Sequence, residues 1–257
     1  MTIRTTINGS FENIPNIGSK ITRLISQFES DGKIISQNNR NIIKVFTFNE
    51  IGENIVIKQY RNNGILQKIL SCFKVSKAYR AFYNGLLLSK RGILTPTPIA
   101  FTEERKNGYL KASYYVCLYT KDNTIMPLIE RQQPDKTAIK AFAQLLANLH
   151  ENGIVHHDLN LSNVLYHTGR EGVVLSVIDI NRLSYRTDEK PVTKENKYSD
   201  DLMRFTGRLD IFISIAYEYA KLRKIDIEPF VRRMTLKKIN HDMNWTRKKK
   251  FHKLFKS

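Results

Sequence analysis

Short apolar stretches separated by polar turns mark the first part of the chain as strand-rich. Lys33–Ser36, Ile42–Phe48 and Asn54–Tyr60 are rich in isoleucine, valine and phenylalanine, whereas Gln37–Asn41 and Asn49–Glu53 between them carry asparagine and glycine. Branched and aromatic residues favour strands, and asparagine and glycine favour turns. The pattern therefore predicts three consecutive strands joined by turns.

A helical pattern follows near Lys74–Lys90, and Gly92 provides its stop signal. The residues that recur on one face at helical spacing are Val75, Ala78, Phe82 and Leu86. The segment Thr95-Pro96-Thr97-Pro98 predicts a rigid connector, and Tyr114–Tyr119 is again strand-like. Thr120–Thr124 is polar, and we expect a hinge there.

The second half of the chain is mainly helical in pattern. Pro134–Asn152 is strongly amphipathic and is followed by Gly153, and Asp200–Arg223 and Glu228–Ile239 also have the pattern of helices. Two short strands, Val164–His167 and Val173–Ile178, come between, joined by a hairpin turn at Thr168–Gly172. The sequence thus predicts an α+β protein, with a strand-rich N-lobe over residues 1–120 and a helical C-lobe over residues 121–257.

Composition limits the partners and the compartment. The 257 residues carry a formal net charge of +18 at pH 7, which indicates an anionic partner. The two cysteines, Cys72 and Cys117, have no neighbour at metal spacing, so we expect a reducing compartment and neither a disulfide framework nor a zinc site. No signal peptide and no long apolar stretch is visible, so any membrane contact is expected to be peripheral.

The segment Ile154–Leu165, which reads I-V-H-H-D-L-N-L-S-N-V-L, carries the strongest chemical signal. Phosphoryl transfer needs a carboxylate beside the attacking hydroxyl and oxygen ligands for Mg²⁺ on the phosphates. Asp158 supplies the first requirement, and Asn163 with Asp179 supplies the second. We expect the hairpin after Asn163 to bring Asp179 back towards it.

This segment resembles the protein-kinase catalytic loop, His-Arg-Asp-Leu-x-x-x-Asn, which is followed by a metal-binding aspartate. His156, Asp158, Leu159 and Asn163 match that loop position by position, and His157 stands where protein kinases often have arginine. The resemblance implies a two-lobed protein-kinase-like fold with ATP and Mg²⁺ as cofactors. It also implies that Asp158 is the catalytic base and that His156 belongs to the catalytic loop.

Lys58 lies near the end of a predicted strand, in Ile55-Val56-Ile57-Lys58. Protein kinases place a lysine there to pair with the α- and β-phosphates, and the resemblance implies this role for Lys58. No Gly-x-Gly-x-x-Gly loop is present. The turn Gln37–Asn41 stands in its place, with Arg40 and Asn41 as nucleotide-binding candidates, because asparagine tolerates left-handed conformations and lets backbone amides face phosphate. A plain hairpin is the alternative.

Three further stretches resemble the lipopolysaccharide core kinases, the family of Kdo and heptose kinases. They are Lys58–Gly64, the pair Arg80–Phe82 and Gly92–Ala100, and Val177–Arg182, where the family favours Asp-Phe-Asn/Asp-Arg over Asp-Phe-Gly. The resemblance implies ATP-dependent phosphorylation of an inner-core sugar hydroxyl, either Kdo or heptose, on an anionic sugar-lipid substrate. It further implies a cytoplasmic enzyme at the inner face of a Gram-negative cytoplasmic membrane.

Two features depart from protein kinases and keep alternatives open. Kinases usually carry a glutamate on the N-lobe helix that pairs with the strand lysine. Residues 54–102 contain no acidic residue, and Tyr83 or Asn84 occupies the expected position. Asn181 replaces the glycine after the metal aspartate, and no Ala-Pro-Glu follows. The alternatives are a bacterial protein kinase, which the missing Ala-Pro-Glu disfavours, and a non-catalytic pseudokinase that binds nucleotide or a partner, which the missing glutamate favours.

The C-terminal stretch Arg247–Lys256 interleaves basic residues with Phe251, Leu254 and Phe255. Each Lys or Arg near an anionic membrane gains about 1 kcal/mol, and apolar neighbours can insert at the interface. We therefore expect contact with an anionic membrane, with a solvated, frayed terminus as the alternative. Nucleic-acid binding is disfavoured, because no stacking platform or nucleic-acid motif is present.

Overall fold

The computed structural model describes residues 2–39, 41–61, 74–170, 172–185, 199–205 and 207–254. Six strands in this described part form one antiparallel sheet. They are β1 (Thr2–Ile7), β2 (Lys33–Gln37), β3 (Asn41–Phe48), β4 (Glu53–Arg61), β5 (Pro98–Lys106) and β6 (Tyr109–Leu118). Their order across the sheet is β1-β5-β6-β4-β3-β2. The sheet belongs to a first unit, Met1–Lys121 with Val177–Arg182. The second unit contains Asp122–Ser176 and Leu183–Ser257.

Helix α1 (Ile17–Ser26) covers part of this sheet. Its buried residues Ile17, Ile21 and Ile25 recur every fourth position, so they share one helix face. They belong to one core cluster with sheet residues that include Phe46 and Ile55. Helix α1 and strands β1 and β5 were not predicted from the sequence, and β5 begins at Pro98, which was predicted to belong to a connector.

Helix α2 (Lys77–Lys90) begins three residues later than predicted, because Ser76 is extended and caps it. The Ser76 hydroxyl accepts a hydrogen bond from the Tyr79 amide at 3.0 Å, which satisfies a donor of the first turn. The helix ends before Gly92, whose φ of 68° is left-handed. The buried residues Ala78, Ala81, Phe82, Asn84, Gly85 and Leu88 lie along it.

Helices make up most of the second unit's described residues. α3 (Met126–Ile129) is short, and α4 (Lys136–Glu151) is capped by the Asp135 side chain, which accepts from the Thr137 and Ala138 amides. β7 (Asn123–Thr124), β9 (Val164–Gly169) and β10 (Gly172–Val177) form a small sheet. β8 (Ile154–Val155) pairs with β11 (Ser184–Tyr185).

The last helices differ from the prediction in two ways. The predicted helix Asp200–Arg223 is interrupted and forms α5 (Ser199–Met203) and α6 (Leu209–Leu222). Phe205, at the break, is 1% exposed, and its ring fills the space beside Gly207, where a Cβ would lie 2.5 Å from the ring. The predicted helix Glu228–Ile239 extends much further, as α7 (Ile227–Leu254).

Because α7 continues to Leu254, most of the basic stretch is helical in backbone. No helix among the described residues is long and apolar enough to cross a membrane.

Candidate active site

Lys58 and Asp179 form an ion pair within the first unit. Lys58 Nζ donates to Asp179 Oδ1 at 2.5 Å, and its side chain is 12% exposed. The ammonium also lies 5.3 Å from the centre of the Tyr60 ring. Burial raises the pKa of the Tyr60 hydroxyl well above its usual value, and the nearby Asp179 carboxylate raises it further. The Tyr60 side chain is therefore uncharged where it lies beside this ion pair.

The segment Val177–Arg182, which carries Asp179, is bonded into the first unit. On the N-terminal side, the Val177 amide donates to the Leu94 carbonyl at 2.9 Å, and the Thr95 hydroxyl donates to the Val177 carbonyl at 2.8 Å. On the C-terminal side, Asn84 Nδ2 donates to the Ile180 carbonyl at 2.7 Å. Bonds therefore hold the chain on both sides of Asp179.

Asp179 adopts a left-handed backbone conformation, with φ of 57°. Such a conformation costs a non-glycine residue about 1–3 kcal/mol and persists only where the surroundings fix it. Asn181 Nδ2 also donates to Asp179 Oδ1, at 2.7 Å. The carboxylate therefore has a defined orientation, as a metal ligand requires.

A cleft of about 460 Å³ opens next to Asp179 in the first unit. The residues that line it are Asn38, Asn39, Asn41, Tyr60, Lys77, Asp179, Asn181 and Arg182. The turn above it is closed by Asn38, whose side chain accepts from the Asn41 amide and whose amide donates to the Asn41 carbonyl, both at 2.9 Å. The structure thus brings together Asn41 and Asp179, two of the residues singled out from the sequence. Arg40 lies outside the described residues.

The predicted catalytic loop, in the second unit, is held by a buried carboxylate. Asp201 accepts from the backbone amides of His156 and His157, each at 2.6 Å, and is 1% exposed. His157 adopts φ of 64°, immediately before Asp158. His156 is 0% exposed, so protein atoms surround its ring. The Asp201 bonds therefore fix the backbone that presents Asp158.

Asp158 and Asn163 are linked within the same loop. Asn163 Nδ2 donates to the Asp158 carbonyl at 2.9 Å. This bond uses the amide nitrogen, so the Asn163 amide oxygen is the atom that suits a cation. Mg²⁺ prefers oxygen donors and keeps several waters, so the Asn163 oxygen and the Asp179 carboxylate are each a ligand of the kind that it prefers. That the hairpin brings these two residues together stays a prediction.

Asp201 belongs to a buried network that the sequence analysis missed. His150 Nε2 lies 3.5 Å from Asp201 Oδ2, and His150 Nδ1 lies 2.8 Å from the Tyr219 hydroxyl. Burial lowers the pKa of His150 against the opposing pull of Asp201, so the imidazole is neutral. Burial alone would raise the pKa of Asp201, but hydrogen bonds from His150 and the His156 amide outweigh it and lower that pKa. In sequence, Asp201 looks like any helical aspartate, so no signal indicated it.

The described residues do not suggest a metal site built from a cluster of ionisable side chains. Among them, no group of three or more His, Cys, Asp or Glu side chains could hold a metal ion. Burial raises the pKa of the Cys117 thiol to about 12, which keeps it protonated at neutral pH. Cys72 lies outside the described residues.

Comparison with solved structures shows the class of fold. A structure of WaaP in complex with acyl carrier protein matches with a TM-score of 0.62 at 18% identity, over 93% of this chain and 99% of that chain. With the strand-rich first unit and the helical second unit, this match confirms the α+β, protein-kinase-like fold predicted from the sequence.

Comparison with sequences then gives the family. The model of the lipopolysaccharide kinase (Kdo/WaaP) family matches residues 29–205, and the chain belongs to this family. Two 3-deoxy-D-manno-octulosonic acid kinases of Haemophilus influenzae, from strains PittEE and ATCC 51907 / DSM 11121 / KW20 / Rd, are each 22% identical to it over 171 residues. Each match covers 62% of this chain and 70% of the relative. Family membership confirms the predicted ATP-dependent phosphotransferase with an alcohol group of a lipopolysaccharide core sugar as acceptor.

Proposed function

We propose that this protein transfers the γ-phosphoryl group of ATP to a hydroxyl of Kdo, 3-deoxy-D-manno-octulosonic acid, in the lipopolysaccharide inner core. The family leaves Kdo and heptose as acceptors. Kdo is supported by the two Haemophilus influenzae relatives, both of which are named as kinases of that sugar. The observation that supports a catalytic function is the Lys58–Asp179 pair: the proposed phosphate-binding lysine bonds the proposed metal-binding carboxylate, which lines a cleft.

The nucleotide-binding role falls to the N-lobe, residues 1–120. Lys58 pairs with the α- and β-phosphates, as the lysine on the corresponding strand does in protein kinases. The Asn38–Asn41 turn covers the phosphates from the cleft wall, with Asn41 and Arg40 as its contributors. Asp179, bonded to the same unit, supplies the metal-binding carboxylate.

The transfer itself depends on the C-lobe, residues 121–257. Asp158 accepts the proton of the attacking hydroxyl and orients it towards the γ-phosphate. Asn163 and Asp179 would hold Mg²⁺, which neutralises charge on the β- and γ-phosphates when bound. His156, fully buried, contributes through the backbone amide that Asp201 fixes, and so positions Asp158.

The direct test is ADP release with defined acceptors. The protein is assayed with Mg-ATP and either a Kdo-bearing lipid A precursor or a heptose-bearing acceptor that lacks free Kdo hydroxyls. We expect turnover with the first acceptor only. Turnover with heptose alone would move the assignment to that sugar. Phosphorylation of a generic protein substrate alone would favour the protein-kinase alternative, and ATP binding without any turnover would favour the pseudokinase.

The acceptor is part of a lipid, so we place the enzyme in the cytoplasm, at the inner face of the cytoplasmic membrane. The supporting feature is the exposed side of α7, where Leu236, Ile239 and Met243 are 56%, 39% and 49% exposed. Arg232 and Arg247 lie on the same helix and are also exposed. Cationic and apolar side chains that alternate on one helix suit an anionic lipid surface better than they suit an uncharged partner surface.

A further inference from the structure

Helix α2 contacts the segment that carries Asp179 through Asn84. Asn84 is 5% exposed, and its Nδ2 donates to the Ile180 carbonyl at 2.7 Å. The next residue, Gly85, permits a close approach of the helix to Pro98 and leaves room for the Ile180 side chain. A Cβ there would lie 2.5 Å from Pro98 Cγ and 3.3 Å from Ile180 Cδ1. The sequence Asn84-Gly85 therefore combines a polar contact with a close approach of the helix.

This contact occurs where protein kinases place a different one. Their N-lobe helix carries a glutamate that pairs with the strand lysine, and activity requires this pair. Here the helix carries no acidic residue, its Asn84 contributes a neutral amide, and Lys58 pairs with Asp179. The same helix thus holds the metal-aspartate segment directly.

We propose that Asn84 is a positioning residue for magnesium binding, because its amide fixes the backbone immediately after Asp179. The inference rests on the proposed role of Asp179 as a metal ligand. Asp179 holds a left-handed φ of 57°, which its surroundings must impose. Val177 is anchored on one side by Leu94 and Thr95, and the Asn84 bond described above anchors the carbonyl of Ile180 on the other side.

A neutral amide at this position also has an electrostatic consequence. A glutamate would compete with Asp179 for Lys58 and would repel the phosphates. The amide leaves the Lys58 charge to Asp179 and to bound phosphates. Asn84 thus positions the aspartate without lowering the positive potential of the cleft.

The test compares two substitutions of Asn84 with a matched control. Asn84→Leu keeps the approximate shape but removes the donor, and Asn84→Gln keeps an amide donor. Asn8→Leu is the control, because Asn8 Nδ2 makes an equivalent 2.7 Å bond to the Pro98 carbonyl in the same unit but does not touch residues 177–182. For each protein, the Mg²⁺ concentration at the midpoint of the ATP-induced thermal shift is measured, together with kcat and the KM for ATP.

We expect Asn84→Leu to raise the Mg²⁺ midpoint roughly three- to tenfold, the equivalent of one lost hydrogen bond, and to raise the KM for ATP more than it lowers kcat at saturating Mg²⁺. Asn84→Gln should raise the Mg²⁺ midpoint less than Asn84→Leu does, and Asn8→Leu should change stability without moving the midpoint. Equal midpoints for Asn84→Leu and Asn8→Leu would overturn the inference. If the midpoints separate but the wild-type protein phosphorylates no Kdo acceptor, the acceptor is wrong and the role of Asn84 stands.

Discussion

Lys58 Nζ donates a 2.5 Å hydrogen bond to Asp179 Oδ1, so the lysine proposed for the phosphates is held by the carboxylate proposed for magnesium. The two side chains are 12% and 30% exposed, and removing either one leaves the other charge without its partner in a poorly hydrated site. The pair also explains how Lys58 is oriented in a lobe whose helix offers no acidic residue.

Replacing Asp179 by alanine should abolish the Mg²⁺-dependent part of ATP binding. The carboxylate is the only charged metal ligand that we propose, and Mg²⁺ binds weakly to sites without one. The measurement is the thermal shift produced by ATP with and without Mg²⁺. If the mutant keeps the wild-type Mg²⁺-dependent shift, Asp179 has a structural role only.

Asp158→Asn should lower kcat for ADP release by at least about 10²-fold, because a positioned general base contributes that much or more. The fold should be unaffected, since the substitution keeps the Asp158 carbonyl that accepts the hydrogen bond from Asn163. Glu130→Gln, a conservative change at an exposed acid of the same unit, is the control. Near-normal turnover of Asp158→Asn would remove this residue from the mechanism.

Asp201→Asn should reduce both stability and turnover. An asparagine would point an N–H group at one of the two loop amides that now donate to the carboxylate, and it would leave a buried donor unpaired. We expect a loss of about 2–5 kcal/mol in the free energy of unfolding, measured in urea, with a fall in kcat. Asp210→Asn, at an exposed ion pair with Arg208, should change neither quantity much. Unchanged turnover of a folded Asp201→Asn would show that the loop does not need this anchor.

The free energy of unfolding should fall as the pH drops below about 6.5, because of His150. Its folded-state pKa is lowered from 6.5, so the unfolded chain takes up a proton that the folded protein refuses. The slope from one such group is up to about 1.4 kcal/mol per pH unit. Asp201, whose pKa is lowered from 3.8, adds stability that is lost only at more acidic pH.

The check is a set of urea titrations between pH 7.5 and pH 5 on wild type, His150→Leu and His167→Leu. His150→Leu should be less stable but should flatten the slope, and His167→Leu, whose imidazole is 52% exposed, is the control for the loss of a histidine. Identical slopes in all three proteins would assign the pH dependence to other groups.

Deleting Arg247–Ser257 should weaken binding to anionic vesicles and barely change the melting temperature. The stretch contains Lys248, Lys249, Lys250, Lys253 and Lys256 and no acid, and the contact should fade at 1 M salt, where screening shortens to about 3 Å. The measurement is co-sedimentation with phosphatidylglycerol–phosphatidylcholine vesicles at low and high salt. A large drop in melting temperature would show that the stretch packs on the body of the protein.

A triple substitution, Leu236→Ser with Ile239→Ser and Met243→Ser, tests the apolar part of the proposed α7 surface in the same assay. The matched control is Ile34→Ser with Ile35→Ser and Leu94→Ser, three exposed apolar side chains of the first unit. The α7 variant should lose vesicle binding that persists at high salt, and the control should not. Equal binding by the two variants would place the membrane contact elsewhere.

Local patterns were enough to predict much of the fold. Strands β2, β3 and β4 and helix α4 lie close to their predicted bounds, because alternating apolar residues, asparagine turns and capping residues act within a few positions. The elements that were missed, such as α1, have weaker local start and stop signals. The break between α5 and α6, where the Phe205 ring packs beside Gly207, was not predicted either.

The sequence by itself determined the family, the fold class and the candidates Lys58, Asp158, Asn163 and Asp179, because loop chemistry imposes fixed residue types at fixed short spacings. Only the tertiary structure decided which partners hold these residues. Asp179 pairs with Lys58 across 121 positions, Asn84 reaches Ile180 across 96, and Asp201 reaches His156 across 45. Contacts between residues so far apart depend on how strands and helices pack, so the spacing of residues along the chain does not specify them.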